Sequence, residues 1–164
     1  MTLYRDATAN DHRFIIGTWL DNYKNAHYAG LIASEDWYAV MSPQLHKLLG
    51  RPGTRAIVAF EPPAFLYGFI VGDTSGSMPI VHYVYIKDPY RSEPGPDGRR
   101  SGPRYARGLF AALGVDPSRE FLYTCRTIAC VRLADKIPLA RFSPGAARYA
   151  NYLEHNRSSN DGQR

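Results

Sequence analysis

The sequence predicts a single α/β domain of the α+β type, in which helices flank a mixed, mainly antiparallel sheet. Three observations lead to this prediction. Two segments near the N-terminus carry apolar residues at helical spacing, three apolar segments separated by short turns follow, and a strand–helix–strand series comes last. Strands in series with tight turns form an antiparallel meander, whereas a strand–helix–strand unit joins parallel strands. The 164 residues are enough for one sizeable core.

The N-terminal part predicts one short strand and two helices. Residues 2–6 alternate in polarity, which is typical of a strand. A helix is predicted to begin near His12, and the second helix covers residues 37–49, with a kink or restart at Pro43. The first helix has an apolar face made of Phe14, Ile15, Trp19, Leu20 and Tyr23.

Strands are predicted through the middle of the chain. They are rich in β-branched and aromatic side chains and cover residues 55–61, 65–73 and 79–87. Pro62-Pro63 and Ser75-Gly76-Ser77 supply the two turns between them.

The C-terminal part combines a basic loop with a crossover. Residues 88–103 are rich in proline, glycine and arginine, and a helix over 104–113 follows directly. The remaining predicted elements are a strand, a short helix and an extended segment, over residues 120–127, 128–136 and near 139–142. Residues 156–164 are polar and predicted to be a disordered tail, so the domain is expected to cover residues 1–155.

The composition restricts the expected partners. The formal net charge is +5. Five arginines account for much of it: Arg91, Arg99, Arg100, Arg104 and Arg107. Such a surface attracts polyanions, either nucleic acid or the phosphates of a nucleotide cofactor, although a surface adapted only for solubility is the alternative.

The spacing of the cysteines and histidines and the length of the apolar runs argue against several other classes of protein. Cys125 and Cys130 have no zinc-binding spacing and are expected to be reduced and buried, which fits a reducing compartment. The five histidines are scattered, so no metal site is predicted. No apolar run is long enough to span a bilayer and no secretory signal is visible, so no membrane partner and a cytoplasmic location are expected.

The strongest functional signal is a strand, an arginine-rich turn and a helix in direct succession. Arg99-Arg100-Ser101-Gly102 precedes the helix predicted from Arg104. Unpaired N–H groups and the helix dipole favour phosphate at a helix N-terminus, and arginines add charge-assisted hydrogen bonds. This order of elements therefore predicts a site for the phosphates of a nucleotide.

These motifs resemble those of the GCN5-related N-acetyltransferases. In that family a central strand ends in a Val-x-x-x-Tyr-Arg-like run, and a glycine-rich turn then holds the cofactor pyrophosphate at the start of a helix. The matching run here extends from Val84 to Arg91, and the turn from Arg99 to Arg104. The strand segment His82-Tyr83-Val84-Tyr85-Ile86-Lys87 is also similar to one in small bacteriophage-encoded proteins of this type. The resemblance covers about residues 2–145.

The resemblance implies an acyl-CoA-dependent N-acyltransferase in which an amine attacks the thioester of acetyl-CoA directly. The residues it assigns to the cofactor are Val84, Tyr85, Ile86, Arg91, Arg99, Arg100, Gly102 and Arg104. The reaction needs a base and an acid. His82 is a candidate base because the usual pKa of histidine is near neutral, and Tyr123 or Tyr149 is a candidate acid. A packing role is the alternative for each of the three.

The sequence leaves other functions open. Residues 92–98 form an insertion ahead of the turn, and Arg104 stands where the family has glycine or alanine. A protein with this fold that has lost its cofactor turn would bind a host protein or nucleic acid through its arginines. A DNA-base-modifying enzyme of related fold is a further alternative. The amine acceptor and the oligomeric state are not indicated, and a phage origin would imply the cytoplasm of a bacterial host.

Overall fold

The computed structural model describes residues 2–63, 65–92, 102–125 and 137–146. The strands and helices in these ranges follow one another in the predicted order. In chain order they are β1 (Leu3–Asp6), α1 (Ala9–His27), α2 (Ser34–Leu49), β2 (Thr54–Glu61), β3 (Phe65–Asp73), β4 (Ile80–Ile86), α3 (Asp88–Ser92), α4 (Gly102–Leu113), β5 (Phe121–Tyr123) and β6 (Ala140–Phe142).

The six strands form one sheet in which strand order equals chain order. β1 to β4 pair antiparallel, whereas β4 pairs parallel with β5, and β5 with β6. Helix α4 lies in the connection between the parallel strands β4 and β5. The predicted fold class, a mixed and mainly antiparallel sheet flanked by helices, is therefore confirmed.

The two faces of the sheet bury separate hydrophobic clusters. Because neighbouring side chains of a strand point to opposite faces, Ile57 and Val58 belong to different clusters. Val58 lies opposite Phe69 on β3 and packs with α1 and α2, whereas Ile57 lies opposite Ile70 and packs with α4. The described part of the chain thus has three layers, with the sheet in the middle.

The helices begin earlier than the sequence predicts. Helix α1 begins at Ala9 because the Asp11 carboxylate accepts a hydrogen bond from the N–H of Thr8 at 2.7 Å and so stabilises the first turn. Helix α2 is continuous through Pro43, where a kink or restart was expected. Trp37 before the proline and Leu45 after it are buried in the same cluster, so packing holds both halves in one helix.

Two further differences concern the predicted basic loop and the strand that follows it. The loop begins with the short helix α3, in which Arg91 forms an ion pair with Asp88 at 2.6 Å. β5 ends at Tyr123, well short of the predicted 127. The helix predicted over 128–136, Cys130 and the tail from 156 lie outside the described residues. Among the helices that are described, none has the length and apolar character needed to cross a bilayer.

Candidate functional site

The C-terminal half of β4 diverges from β5. The two strands pair only at Ile80 and Val81, opposite Leu122 and Tyr123. Among the described residues, the last backbone hydrogen bond of this junction runs from the N–H of Thr124 to the carbonyl of Val81, at 3.1 Å. Beyond Val81, β4 continues to Ile86 with no described strand paired on that side. A cleft therefore opens between β4 and β5.

A β-bulge lies at the point of divergence. Val71 on β3 is opposite Tyr83, and the next β3 residue, Gly72, is opposite Val81. His82 is the extra residue between them. Because a bulge bends its strand and increases the local twist, it turns the end of β4 away from β5.

The cleft contains about 310 Å³ of empty space, including its mouth towards solvent. Apolar and aromatic side chains of β4, α4 and β5 line it, with Phe110 and Phe121 on the α4 side. Three of the site residues predicted from the sequence line the same cleft: His82, Val84 and Tyr123. The structure therefore brings both candidate catalytic residues together with one candidate cofactor contact.

Cys125 lines the cleft and was not among the site residues predicted from the sequence. It is buried and belongs to the cluster on the α1 and α2 face, whereas Tyr123 packs on the opposite face. Strand alternation would have placed residues 123 and 125 on the same face. The chain leaves the strand after Tyr123, so no sequence pattern could have located this side chain.

His82 is neutral in this environment. It is 3% exposed, and its Nδ1 lies 3.1 Å from Oγ1 of Thr124. Burial lowers the pKa of His82 to about 4, while the Asp73 carboxylate raises it and the Arg51 guanidinium lowers it by smaller amounts. A catalytic base works best when its pKa is near the working pH. The base role of His82 stays a prediction, and its low pKa does not favour it.

Tyr123 lies on the wall formed by β5. It is half-buried, and the centre of its ring is 5.4 Å from that of Phe142 on β6. Its hydroxyl is a group that can donate a proton within the cleft region. The acid role of Tyr123 stays a prediction, and the other candidate, Tyr149, lies outside the described residues.

The backbone of β4 presents hydrogen-bond donors towards the cleft side. The N–H of Lys87 donates to the carbonyl of Tyr67 on β3 at 2.9 Å. Backbone groups of successive strand residues point alternately to the two sides, so the N–H groups of Ile86 and Val84 point away from β3. The contact of the Ile86 carbonyl with Arg91, which does not belong to β3, agrees with this direction. Of the strand residues predicted to contact the cofactor, Val84 and Ile86 thus direct their N–H groups away from β3, towards the cleft side. The N–H of Tyr85 points to β3.

Arg91 stabilises the end of β4. Its Nε donates to the carbonyl of Ile86 at 2.6 Å, and its guanidinium lies 5.1 Å from the ring centre of Tyr85. Together with the ion pair to Asp88, these contacts make Arg91 a link between β4 and α3. Its predicted contact with a cofactor stays a prediction.

Two of the other predicted cofactor residues lie at the start of α4. Gly102 is the first residue of this helix, and the exposed Arg104 lies in its first turn. Arg99 and Arg100 lie outside the described residues. The predicted order of strand, connecting segment and helix is present, and the start of α4 combines the positive end of a helix dipole with a guanidinium. In the described ranges, no group of three or more His, Cys, Asp or Glu side chains is arranged to hold a metal ion.

Comparison with known proteins identifies the fold. Neither a family model nor a curated protein sequence matches the chain. Its structure is similar to that of a candidate acetyl transferase from Pyrococcus furiosus, with a TM-score of 0.53 and 12% identity over 83% of this chain and 91% of that one.

Two further similar structures have lower scores. A PaiA N-acetyltransferase from Thermoplasma acidophilum in complex with coenzyme A has a TM-score of 0.44 and 14% identity, over 94% of this chain and 88% of that one. AAC(6')-Iy in complex with a bisubstrate analogue has a TM-score of 0.46 and 12% identity, over 84% and 89%. Sheet topology and the similarity to the Pyrococcus protein lead to the same conclusion: the chain has the fold of the GCN5-related N-acetyltransferases.

Proposed function

We propose that the protein is an acyl-CoA-dependent N-acyltransferase that transfers an acetyl group from acetyl-CoA to an amine. The observation that carries the proposal is the divergence of β4 from β5 at His82, which opens a cleft beside strand N–H groups that pair with no described strand on that side. The helix that follows this strand, α4, begins with a glycine and carries Arg104 in its first turn.

The cleft and the start of α4 fit the two ends of acetyl-CoA. The molecule consists of a long thioester arm joined to a nucleotide with several phosphates. The arm would lie in the apolar cleft, where the N–H groups of Val84 and Ile86 would meet its carbonyl oxygens. The start of α4 and Arg104 would bind the phosphates, and Arg99 and Arg100 would add further charge-assisted contacts.

The chemistry requires a neutral amine to attack the thioester carbonyl while the thiolate of CoA leaves. Acetyl-CoA supplies an activated acyl group. The protein would hold both reactants in contact and stabilise the developing negative charge on the carbonyl oxygen with strand N–H groups, and such donors contribute strongly to catalysis. Tyr123 would donate a proton to the departing thiolate. Because the pKa of His82 is about 4, the proton of the amine would leave through water.

Thermal unfolding with acetyl-CoA tests the proposal. A ligand that binds only the folded state stabilises it, by about 2.7 kcal/mol at a hundredfold excess over its dissociation constant. We expect the melting temperature to rise with acetyl-CoA concentration, and CoA thiol to be released when suitable amines are added. Adenosine at equal concentration is the control ligand, since it lacks both the phosphates and the arm.

An unchanged melting temperature at millimolar acetyl-CoA would contradict the proposal. It would favour a non-catalytic protein of this fold that uses its arginines to bind a partner. Nucleic acid is the simplest such partner, and its binding would weaken steeply as salt increases. DNA binding that persists with saturating CoA would instead favour nucleic acid as the acceptor of the acyl group.

A further inference from the structure

Two side chains, His82 and Thr124, join β4 and β5 where the strands separate. Nδ1 of His82 lies 3.1 Å from Oγ1 of Thr124, and His82 is buried. Thr124 is the residue after β5, and its N–H makes the last described backbone hydrogen bond across the junction, to the carbonyl of Val81. Thr124 therefore binds β4 through its backbone and its side chain at the same point.

We propose that the His82–Thr124 hydrogen bond is a positioning contact that sets the width of the cleft for the thioester arm of CoA. This inference rests on the function proposed above. It assigns His82 a role that differs from the base predicted from the sequence, and it adds Thr124, for which the sequence predicted no role.

The bulge explains why this position needs a side-chain contact. His82 is the extra residue between Val81 and Tyr83 in the pairing of β4 with β3, so the β3 ladder does not constrain it as it constrains its neighbours. On the other side, the pairing with β5 ends at Val81. His82 is therefore the first residue of β4 that neither strand pairing holds in place, and the hydrogen bond to Thr124 fixes it across the junction.

The charge state of His82 suits a fixed contact. Its ring is neutral at neutral pH because burial, together with a smaller effect of Arg51, outweighs the effect of Asp73, which raises its pKa. A neutral imidazole has one donor and one acceptor nitrogen, and a hydroxyl can do both, so Nδ1 can pair with Thr124 in either tautomer. The ring therefore keeps this contact without changing charge during turnover.

The location of the pair determines which part of a ligand it affects. His82 lines the cleft, whereas Gly102 and Arg104 at the start of α4 are not among its described lining residues. A change in cleft width would alter binding of the arm and leave binding of the phosphates intact. CoA and its nucleotide part, adenosine 3′-phosphate 5′-diphosphate, thus separate the two effects.

The test compares Thr124→Val with Thr124→Ser by calorimetric titration with both ligands. Valine has the same shape but no hydroxyl, so we expect it to weaken CoA binding about tenfold, because a buried ring nitrogen loses its partner and the cleft loosens. Binding of the nucleotide should change by less than about twofold, within the usual effect of a substitution outside a contact. Serine keeps the hydroxyl and should retain wild-type affinity for both ligands.

The outcomes distinguish this inference from the proposed function. Wild-type CoA affinity in Thr124→Val, or equal weakening of both ligands, would overturn the positioning role while leaving the function standing. A wild-type protein that binds neither ligand would overturn the function and the positioning role with it. If Thr124→Val does not fold, His82→Leu, which removes the same hydrogen bond from the other side, replaces it with the same expected results.

Discussion

Gly72 on β3 lies directly against the carbonyl oxygen of Ile80 on β4. A Cβ atom added at Gly72 would lie 2.5 Å from this oxygen and 2.7 Å from Cδ2 of Leu113 on α4. This contact is next to the register shift between Val71 and Gly72, so the absence of a side chain permits the close approach that accompanies the bulge at His82.

Gly72→Ala is expected to lower the free energy of unfolding by about 1–3 kcal/mol, because the new methyl group must displace strand backbone. Gly17→Ala is the matched control. Apart from the neighbouring backbone of α1 itself, no atom lies within 4 Å of a Cβ at Gly17, so alanine there should stabilise the protein by up to about 1 kcal/mol. Urea unfolding of the two variants measures both effects. Equal stability of the two variants would show that the close contact at Gly72 is absent.

The buried Asp11 side chain should contribute strongly to stability. Its carboxylate accepts hydrogen bonds from the N–H and the hydroxyl of Thr8 at 2.7 and 2.8 Å, and from Nη1 of Arg5 at 2.6 Å. Burial alone would raise the pKa of the carboxyl, but these contacts outweigh it and lower the pKa below its usual value. Stability from this group is therefore present above the unfolded pKa and is lost as the pH falls through the folded pKa.

Asp11→Asn should lower the free energy of unfolding by about 1.5–3 kcal/mol, the range for hydrogen bonds to a charged group. Asp6→Asn is the control, because Asp6 forms an ion pair with Arg55 but its side chain is 64% exposed. The control should change stability by less than about 1 kcal/mol. Denaturant unfolding at neutral pH separates the two, and a smaller effect at Asp11 than at Asp6 would contradict the prediction.

His82 should make stability depend on pH in mildly acidic solution. The pKa of His82 is about 4 in the folded protein against an ordinary value of 6.5. Between these values the unfolded chain binds more protons than the folded one, so the free energy of unfolding falls as the pH falls through this window. The contribution of this group is complete above the unfolded pKa, and its size is on the order of 3 kcal/mol.

The measurement is the melting temperature of wild type and His82→Asn across this pH window. Carboxyl groups titrate in both proteins, so the difference in melting temperature between wild type and His82→Asn isolates the effect of His82. His46→Gln, which changes an exposed histidine on α2, is the matched control and should follow wild type. NMR titration of the His82 ring provides a direct check, and a midpoint near 6.5 would show that the ring is not buried as described.

The donor at Val84 can be removed by a single substitution. Proline lacks an N–H, and it is tolerated where the missing N–H would face away from the sheet ladder. Val84→Pro should therefore reduce the rate of acetyl transfer about a hundredfold, which is the effect of removing one donor to a developing oxyanion. The variant should still fold. Val84→Ala keeps the N–H and should retain most of the activity.

Steady-state kinetics of the two Val84 variants, with circular dichroism to confirm folding, measure this effect. Similar kcat/KM values for the proline and alanine variants would show that the Val84 N–H does not contact the reacting group. If the proline variant instead has a higher KM for acetyl-CoA and an unchanged kcat, this N–H binds the arm and not the thioester carbonyl.

Local patterns determined which segments became helices and strands. The predicted strand over residues 65–73 has the observed bounds, because β-branched and aromatic residues between two turns favour a strand regardless of its partners. The alternation of Ile57 and Val58 between the two faces follows from strand geometry in the same way. The order of strand, basic segment and helix, and with it the resemblance to acetyltransferases, was also visible in the sequence.

Only the tertiary structure decided the geometry of the candidate site. The bulge at His82 depends on how β4 pairs with β3, and the contact of His82 with Thr124 joins residues 42 positions apart. Strand alternation predicts nothing across such a distance, and it fails at Cys125 because the strand ends first. The low pKa of His82 likewise results from burial between elements. Periodicity reports on neighbours along the chain, whereas cleft width, burial and proton affinity depend on segments that meet only in the folded state.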